Sequence, residues 1–243
     1  MPQNIYDDVD FYKGYSQLPR SVSGLEAAPE WESVRALLPN LMGTRILDLG
    51  CGFGAFDRWA VENGASTVIG VDLSENMLSR ARELTDTAAI EYRIGDLENL
   101  EIVDEDFDLV YSALAFHYIN DFHTLCGVIR SKLKQGGLLV ATVEHPIYTA
   151  PSNDGWQVTE GGTSIWPLDR YFDEGLRERS WFADRVVKYH RTIGRQIDAL
   201  LKNSFRLTAL EEWCPSMEQV AEHPEWKLER ERPMFLIFAA EAV

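Results

Sequence analysis

Cysteine is scarce in this chain, and the cysteines that are present show no pairing pattern. The 243 residues include only Cys51, Cys126 and Cys214, which are far apart and form no CxxC pair. An odd, widely spaced set indicates neither a disulfide framework nor a zinc site. We therefore expect a reducing, cytoplasmic location and no bound metal.

Long apolar runs and an excess of positive charge are also missing. No segment approaches the ~20 apolar residues of a membrane span, and the N-terminus is polar and acidic where a secretory signal begins with basic residues. The chain has 39 acidic and 23 basic residues, a net charge of −16 that repels nucleic-acid backbones and anionic membranes. The sequence predicts a small-molecule partner, neither nucleic acid nor membrane, and leaves a homodimer open.

Short apolar runs alternate with helical patterns in the middle of the chain. We predict strands at residues 45–49, 67–71, 90–94, 107–112 and 138–143, with further strands at 205–212 and 234–241. Such alternation is typical of a parallel sheet with crossover helices. The expected fold is α/β, a doubly wound, seven-stranded Rossmann-like sheet whose last strand runs in reverse near the edge.

The helical patterns between these strands have recognisable ends. Ser74 predicts the start of a helix over 75–83, because its hydroxyl can cap the first backbone N–H groups. Further helices are expected at about 122–133, ended by the Lys-Gln-Gly-Gly of 134–137, and at 192–203. We expect one domain: a leader (1–40), a cofactor-binding core (41–143), an irregular, aromatic-rich insertion forming a substrate pocket or lid (144–190) and a C-terminal completion of the sheet (191–243).

A glycine-rich turn follows the first predicted strand. RILDLGCGFGAF places Gly50, Gly52 and Gly54 at alternate positions between a buried strand and a helix. Glycine is needed where the chain turns sharply and a ligand approaches the backbone. Because Ala55 follows, the segment also satisfies the loose GxGxxG/A pattern, so glycine spacing alone does not separate a nicotinamide enzyme from a methyltransferase.

Acidic residues end the next two strands. Asp72 closes VIGVD, 22 residues beyond Gly50, where a carboxylate can accept ribose hydroxyl groups. Asp96 ends the third strand, where it can receive the exocyclic amine of an adenine. Since three successive strand ends face one crevice, the sequence predicts a nucleoside site.

These segments together resemble the motifs of class I S-adenosylmethionine-dependent methyltransferases of the methyltransferase-11 type. The resemblance covers residues 45–143 through LDLGCGFG, VDLS, GDLENL, FDLVYSALAFHYI and LKQGGLLVATV. It implies an enzyme with S-adenosylmethionine as cofactor and S-adenosylhomocysteine as product, and says little about the acceptor.

The resemblance also implies roles for particular residues. Asp48 would support the methionine end of the cofactor, Asp72 would hold the ribose, Asp96 and Leu97 would flank the adenine, and Ser112 would lie near the methionine moiety. In similar enzymes the leader folds over the cofactor, so that Tyr15 would face the sulfonium and Arg20 would pair with the methionine carboxylate. The other candidate cofactor contacts are Gly50, Cys51, Gly52, Leu73 and Met77, with core packing as the alternative for Met77.

The acceptor side is less specific. His117 and His145 follow the fourth and fifth strands, and both are candidate general bases, with a structural role as the alternative. The candidate substrate contacts come from the insertion: Glu144, Tyr148, Trp166 and Tyr171. No NPPY-like tetrapeptide follows the fourth strand, which argues against methylation of exocyclic amines in nucleic acids. We expect O- or N-methylation of a small, partly apolar or aromatic acceptor.

Three alternatives remain open. The Ala55 pattern admits a nicotinamide-dependent oxidoreductase, which Asp48 before the turn and the Gly95-Asp96 element oppose. A non-catalytic module that binds the nucleoside cofactor is the second, because no single residue is obligatory for methyl transfer. Protein methylation is the third, and it would require an open groove where we expect a closed lid.

Overall fold

The computed structural model describes residues 3–153 and 155–243. Its strands are β1 (Arg45–Leu49), β2 (Thr67–Asp72), β3 (Ile90–Ile94), β4 (Phe107–Ala113), β5 (Leu133–Glu144), β6 (Gln157–Val158), β7 (Ser164–Ile165), β8 (Gly175–Trp181), β9 (Ala183–His190), β10 (Phe205–Trp213) and β11 (Phe235–Ala242). Its α-helices are α1 (Val9–Tyr15), α2 (Pro19–Ser23), α3 (Trp31–Leu37), α4 (Ala55–Glu62), α5 (Glu75–Glu83), α6 (Phe122–Lys132), α7 (Pro146–Thr149), α8 (Ile193–Lys202) and α9 (Met217–Glu222). Short 3₁₀ helices lie at Ile5–Asp7, Gly24–Ala27, Leu97–Asn99, Phe116–Tyr118 and Pro224–Arg230.

The central sheet has seven strands in the order β10-β11-β5-β4-β1-β2-β3. The strands β1 to β5 run parallel to one another, and β11 is antiparallel to both of its neighbours, β5 and β10. This is the doubly wound, Rossmann-like sheet predicted from the sequence, with the reversed strand second from one edge. The carboxyl ends of β1, β2, β3, β4 and β5 therefore open on the same edge.

Helices cover both faces of this sheet because neighbouring strand residues point to opposite sides. In β1, Ile46 packs with α3 and α4, whereas Leu47 packs in the cluster that contains residues of α6 and α8. Both side chains are fully buried, and each such burial stabilises the fold by about 1.5–3 kcal/mol. The two apolar layers hold the strand ends rigidly in place. No helix among the described residues is long and apolar enough to cross a membrane.

The leader and the β8–β9 hairpin pack against each other near the strand ends. Phe11 of α1 is fully buried and meets Trp181 of β8 edge to face, with ring centroids 5.4 Å apart. Val186 of β9 belongs to the same apolar cluster, and Tyr15 and Tyr118 pack at its border. This contact brings two segments far apart in sequence over the carboxyl edge of the sheet.

Two predictions about local structure need correction. The Lys-Gln-Gly-Gly of 134–137 does not separate helix from strand, because β5 already begins at Leu133. A register shift between β4 residues Phe107 and Leu109 accommodates this early start. The insertion, which we expected to be irregular, contains α7 and the hairpins β6–β7 and β8–β9.

Candidate active site

A cavity of about 1040 Å³ lies at the carboxyl ends of the parallel strands. Its walls come from the loops after β1, β2, β3, β4 and β5, from the leader, from the β8–β9 hairpin and from residues 213–235. This is the edge at which open α/β sheets bind their ligands. Most of the residues predicted for the cofactor lie in these walls.

The glycine turn forms the floor of the cavity near β1. Gly50 and Gly52 have φ values of +82° and +55°, which residues with a side chain rarely adopt. A Cβ atom added to Gly50 would lie 2.4 Å from the Cβ of Ala115. The N–H groups of Gly50 and Cys51 both donate to the carbonyl of Val71, which ties the turn to β2. The backbone is thus exposed to the cavity where a ligand can approach it.

Asp72 lies at the end of β2 and lines the cavity. Its Oδ2 accepts the Gly52 N–H at 2.9 Å, and its Oδ1 accepts the Ser74 N–H at 2.9 Å. Burial raises the pKa of Asp72, and these backbone hydrogen bonds oppose the shift. Each carboxylate oxygen has a second lone pair that a ligand hydroxyl can use.

Asp96, Leu97, Leu73 and Met77 also line the cavity. Asp96 caps the 3₁₀ helix Leu97–Asn99, with Oδ1 accepting the Glu98 N–H at 2.9 Å. Met77 is only 2% exposed, so that it packs in the protein and borders the cavity at the same time. Core packing and ligand contact are therefore compatible for this residue.

Asp48 and Cys51 do not line the main cavity but a smaller one of about 100 Å³. The two cavities share Tyr15, Arg20 and the glycine turn in their walls. Asp48 is 2% exposed and interacts with the carboxyl group of Asp57, which is fully buried. Burial raises the pKa of both groups, that of Asp57 to about 7. Neither Asp57 oxygen forms a hydrogen bond of regular geometry within the described residues.

Ser112 lies outside both cavities as the structure describes them. Its hydroxyl is fully buried and donates to the carbonyl of Leu49 at 2.7 Å. This bond links β4 to β1 just before the glycine turn. The geometry gives Ser112 a role in holding the strand ends together. The residues that follow it, Ala113 to Ala115, line the cavity in its place.

The leader contributes Tyr15 and Arg20 to the cavity wall. The Nη2 group of Arg20 donates to both oxygens of Glu30 at 3.0 Å, and the Glu30 side chain is only 4% exposed. Burial lowers the pKa of Arg20, but Glu30 outweighs this effect and the net shift is upward. Among the described residues Arg20 forms hydrogen bonds only through Nη2, so Nε and Nη1 remain for an anionic ligand.

His117 lines the cavity and is 4% exposed. Its Nδ1 accepts the backbone N–H of Glu144 at 3.4 Å. Burial lowers the pKa of His117 to about 4, so the ring is neutral near pH 7. In the tautomer that accepts at Nδ1, the proton is on Nε2.

His145 does not line the cavity. The side chain is fully buried, its Nδ1 accepts the Ile147 N–H at 3.0 Å and its Nε2 lies 2.9 Å from Glu212 Oε1. It caps the N-terminus of α7. Because both ring nitrogens are engaged in structural contacts, the geometry does not favour His145 as a base for a ligand in the cavity.

The four predicted substrate contacts divide into two pairs. Glu144 and Tyr148 line the cavity, whereas Trp166 and Tyr171 do not. Trp166 donates from Nε1 to the Ile147 carbonyl and stacks on Tyr148, with ring centroids 5.6 Å apart. Trp166 therefore packs against Tyr148, a residue of the cavity wall, without lining the cavity itself. The Tyr171 ring packs against His190 instead.

The sequence did not single out several residues of the hairpin side. Lys188 of β9 lines the cavity, and its Nζ lies 2.5 Å from Glu144 Oε1. Trp181 of β8 and Tyr118 complete this part of the wall. The Arg-Val-Val-Lys-Tyr run of β9 has the composition of a strand, but nothing in it indicates that Lys188 is buried.

The fold and the cavity define the chain as a Rossmann-like protein with a large cavity at the carboxyl edge of its parallel strands. The family model of a methyltransferase domain matches residues 47–141. A solved S-adenosylmethionine-dependent methyltransferase from Mesorhizobium loti is 47% identical, with a TM-score of 0.86 over 90% of this chain and 100% of that one. The chain belongs to the class I S-adenosylmethionine-dependent methyltransferases and is an enzyme of that family.

Two further relatives come from sequence comparison. An uncharacterized protein from Haemophilus influenzae is 34% identical over 99% of this chain and 97% of its own length. Phosphoethanolamine N-methyltransferase 3 from Arabidopsis thaliana is 30% identical over 75% of this chain, but the match spans only 38% of that larger protein. The comparisons favour a methyltransferase over the nicotinamide-dependent alternative.

Proposed function

We propose that the protein transfers the methyl group of S-adenosylmethionine to an oxygen or nitrogen atom of a small organic acceptor. One observation carries this proposal: a single cavity runs from the glycine turn and Asp72 to Glu144, Tyr148 and Lys188. Cofactor and acceptor can therefore bind side by side. A volume of about 1040 Å³ is at the upper end for ligand pockets, which suits two ligands.

The nucleoside end of the cofactor fits the loops after β2 and β3. The Asp72 carboxylate, held by the Gly52 and Ser74 N–H groups, would accept the ribose hydroxyls. Asp96 and Leu97 would border the adenine, with Leu97 supplying an apolar contact. Gly50 and Gly52 line the cavity without side chains, so the ligand would lie directly on the backbone there.

The methionine end fits the region that both cavities share. Arg20 is fixed by Glu30 through Nη2 and keeps the N–H donors of Nε and Nη1 for a carboxylate. Asp48 has a buried Oδ1 without a hydrogen-bond partner in the described chain, and an ammonium group would satisfy it. Tyr15 borders both cavities and would face the sulfonium with its ring.

The acceptor end lies under the hairpin and the insertion. When bound, the cofactor supplies an electrophilic methyl group, and the protein has to align the acceptor and exclude water. Phe11, Trp181 and Val186 hold the leader and the hairpin over this end. The Nδ1 lone pair of His117 already accepts the Glu144 N–H. The neutral ring therefore has its Nε2–H left, and this group would orient the acceptor by donating a hydrogen bond.

Small acceptors are favoured over macromolecules for two reasons. The leader and the hairpin pack together and both contribute to the cavity wall, which favours a ligand of limited size, and the net charge of −16 opposes nucleic acid. Phosphoethanolamine, the substrate in the name of the Arabidopsis relative, is a small molecule. The free cysteines Cys51, Cys126 and Cys214 fit the cytoplasm as the location.

Two measurements test this function. Calorimetry with S-adenosylhomocysteine should show binding at one site, and methyl-labelled S-adenosylmethionine in a metabolite extract should yield a labelled small organic molecule. Label in protein or nucleic acid would contradict the acceptor class. Binding without transfer to any extract component would support the non-catalytic alternative.

A further inference from the structure

The carboxylate of Glu144 has an unused hydrogen-bonding oxygen. Glu144 ends β5, its side chain is 14% exposed and it lines the main cavity. Its Oε1 accepts a hydrogen bond from Lys188 Nζ at 2.5 Å. Its Oε2 is buried and has no hydrogen-bond partner within residues 3–153 and 155–243. A buried carboxylate oxygen without a donor is costly, so a ligand that fills the cavity is expected to supply one.

Lys188 keeps this carboxylate in place. The Lys188 side chain is 7% exposed, and its Nζ lies 5.1 Å from the ring centroid of Trp181 and 5.9 Å from that of Tyr118. The ammonium is thus held between two aromatic faces and one carboxylate oxygen. Burial alone would raise the pKa of Glu144, but His117, Lys188 and Arg179 lower it overall. Glu144 therefore remains ionised near neutral pH, where its carboxylate accepts hydrogen bonds and is a weak base.

His117 adds a donor beside this acceptor. Its ring is neutral, and its Nδ1 accepts the backbone N–H of Glu144 itself. The remaining proton is on Nε2, which can donate to a ligand. This corner of the cavity therefore offers one acceptor and one donor. A hydroxyl or amide group can use both.

Charge restricts the class of ligand further. The Glu144 charge is balanced by Lys188, and Arg179 lies close enough to act on Glu144 as well. An ammonium group that approaches Oε2 would be repelled by the Lys188 ammonium, and a carboxylate there would be repelled by Glu144. A neutral group with an O–H or N–H donor meets neither repulsion.

We propose that Glu144 Oε2 accepts the hydrogen bond of the acceptor's nucleophilic O–H or N–H group, that Lys188 is a positioning residue for this carboxylate, and that the acceptor carries a neutral donor group. The inference rests on the proposed methyl transfer and adds the chemical class of the acceptor. It also assigns to Lys188 a role in acceptor binding.

Phenol and anisole form a matched pair of probes, because they differ by one methyl group that removes the O–H donor. Their dissociation constants are measured by ligand-observed NMR titration of the protein saturated with S-adenosylhomocysteine. The wild-type protein should bind phenol about tenfold more tightly than anisole, the effect of one hydrogen bond to a charged group. In Glu144→Gln the ratio should fall to near one, because the amide presents N–H donors at this position.

Glu225→Gln is the control, since Glu225 borders the same cavity with a 66% exposed side chain. It should keep the wild-type ratio. An unchanged ratio in Glu144→Gln, or no preference for phenol in the wild-type protein, overturns the proposal. Calorimetry on the same samples separates the two claims: failure to bind S-adenosylhomocysteine contradicts the proposed function, whereas binding without a phenol preference contradicts only this inference.

Lys188→Met provides an independent test that does not depend on the stability of the Glu144 variant. Without its ion pair, the buried Glu144 carboxyl takes up a proton at higher pH, so the preference for phenol should be present at pH 9 and lost at pH 6. The wild-type ratio should stay constant between these values, and Lys188→Arg should restore that constancy. The groups around Glu144 that enter this pH dependence are His117, Tyr118, Arg179, Lys188 and Arg232. A pH-independent ratio in Lys188→Met overturns the positioning role.

Discussion

Asp72 joins the glycine turn to the start of α5: its carboxylate accepts the N–H of Gly52 and the N–H of Ser74, both at 2.9 Å. Ser74 in turn caps α5 by accepting the Met77 N–H. One side chain therefore fixes the ends of β1 and β2 relative to each other. The same side chain lines the cavity, and each of its oxygens keeps a second lone pair.

Asp72→Asn should weaken S-adenosylhomocysteine binding at least tenfold. The amide has one acceptor oxygen, so it cannot keep both backbone bonds and still receive a ribose hydroxyl, a loss of about 1.5–3 kcal/mol. Calorimetry measures the effect, with Glu83→Gln on the surface of α5 as a control of unchanged affinity. Unchanged affinity in a folded Asp72→Asn protein would remove the ribose assignment.

Asp57→Asn should stabilise the protein at pH 8 and have little effect near pH 4. The folded-state pKa of Asp57 is raised to about 7, mainly by burial, against about 3.9 in an unfolded chain. The folded state holds the extra proton between these values, so wild-type stability falls as pH rises through this window. The neutral amide removes that loss, which amounts to at most about 4 kcal/mol.

Urea unfolding at the two pH values measures this difference. Asp108→Asn is the control with the opposite sign. Burial would raise the pKa of Asp108, but Lys134 and the Arg45 N–H lower it overall, so its contribution is present at pH 8 and lost as pH falls. A gain of equal size at both pH values in Asp57→Asn would show that Asp57 is not protonated in the folded protein.

The parallel core could be predicted because its signals are local. Each strand of 45–143 is a short apolar run, and residues such as Asp72 or Asp96 mark its end within the same segment. The part of the cavity wall that contains Asp72 and Asp96 follows directly from these strand ends. Sheet topology then brings them to one edge without further information.

The acceptor side depends on contacts between distant residues, which a sequence pattern does not display. Lys188 can be buried because its ammonium forms an ion pair with Glu144, 44 residues away. His145 is structural because Glu212, 67 residues away, meets its ring. The β8 strand carries three consecutive charged residues, Arg177 to Arg179, and Arg177 can be buried because backbone carbonyls such as those of Ala150 and Asp173 accept its N–H groups.

The two histidines should respond differently to the same substitution. His117→Gln should lower turnover and leave S-adenosylhomocysteine affinity within about twofold, because His117 lines the cavity beside Glu144, at the end that we propose for the acceptor. His145→Gln should lower the free energy of unfolding by about 1–3 kcal/mol through its lost buried hydrogen bonds, with turnover of the folded protein unchanged. Label transfer and urea unfolding on both variants make the comparison. Equal turnover in the two variants would contradict the assignment of His117 to the acceptor.

Gly50 and Gly52 form a last matched pair. Both have positive φ, so alanine at either position costs about 1–2 kcal/mol of backbone strain. At Gly50 the new Cβ would also lie 2.4 Å from the Cβ of Ala115, a contact that only a backbone shift can relieve. At Gly52 the nearest atom is the terminal methyl of Met77 at 3.3 Å, on a flexible side chain that can move.

We therefore expect Gly50→Ala to reduce the melting temperature clearly more than Gly52→Ala. Gly52→Ala should still fold, yet bind S-adenosylhomocysteine more weakly, because its methyl group enters the part of the cavity wall that we propose for the cofactor. Thermal unfolding combined with calorimetry separates the two effects. If Gly52→Ala kept full affinity, the cofactor would not approach this part of the turn, and the glycines would serve the turn alone.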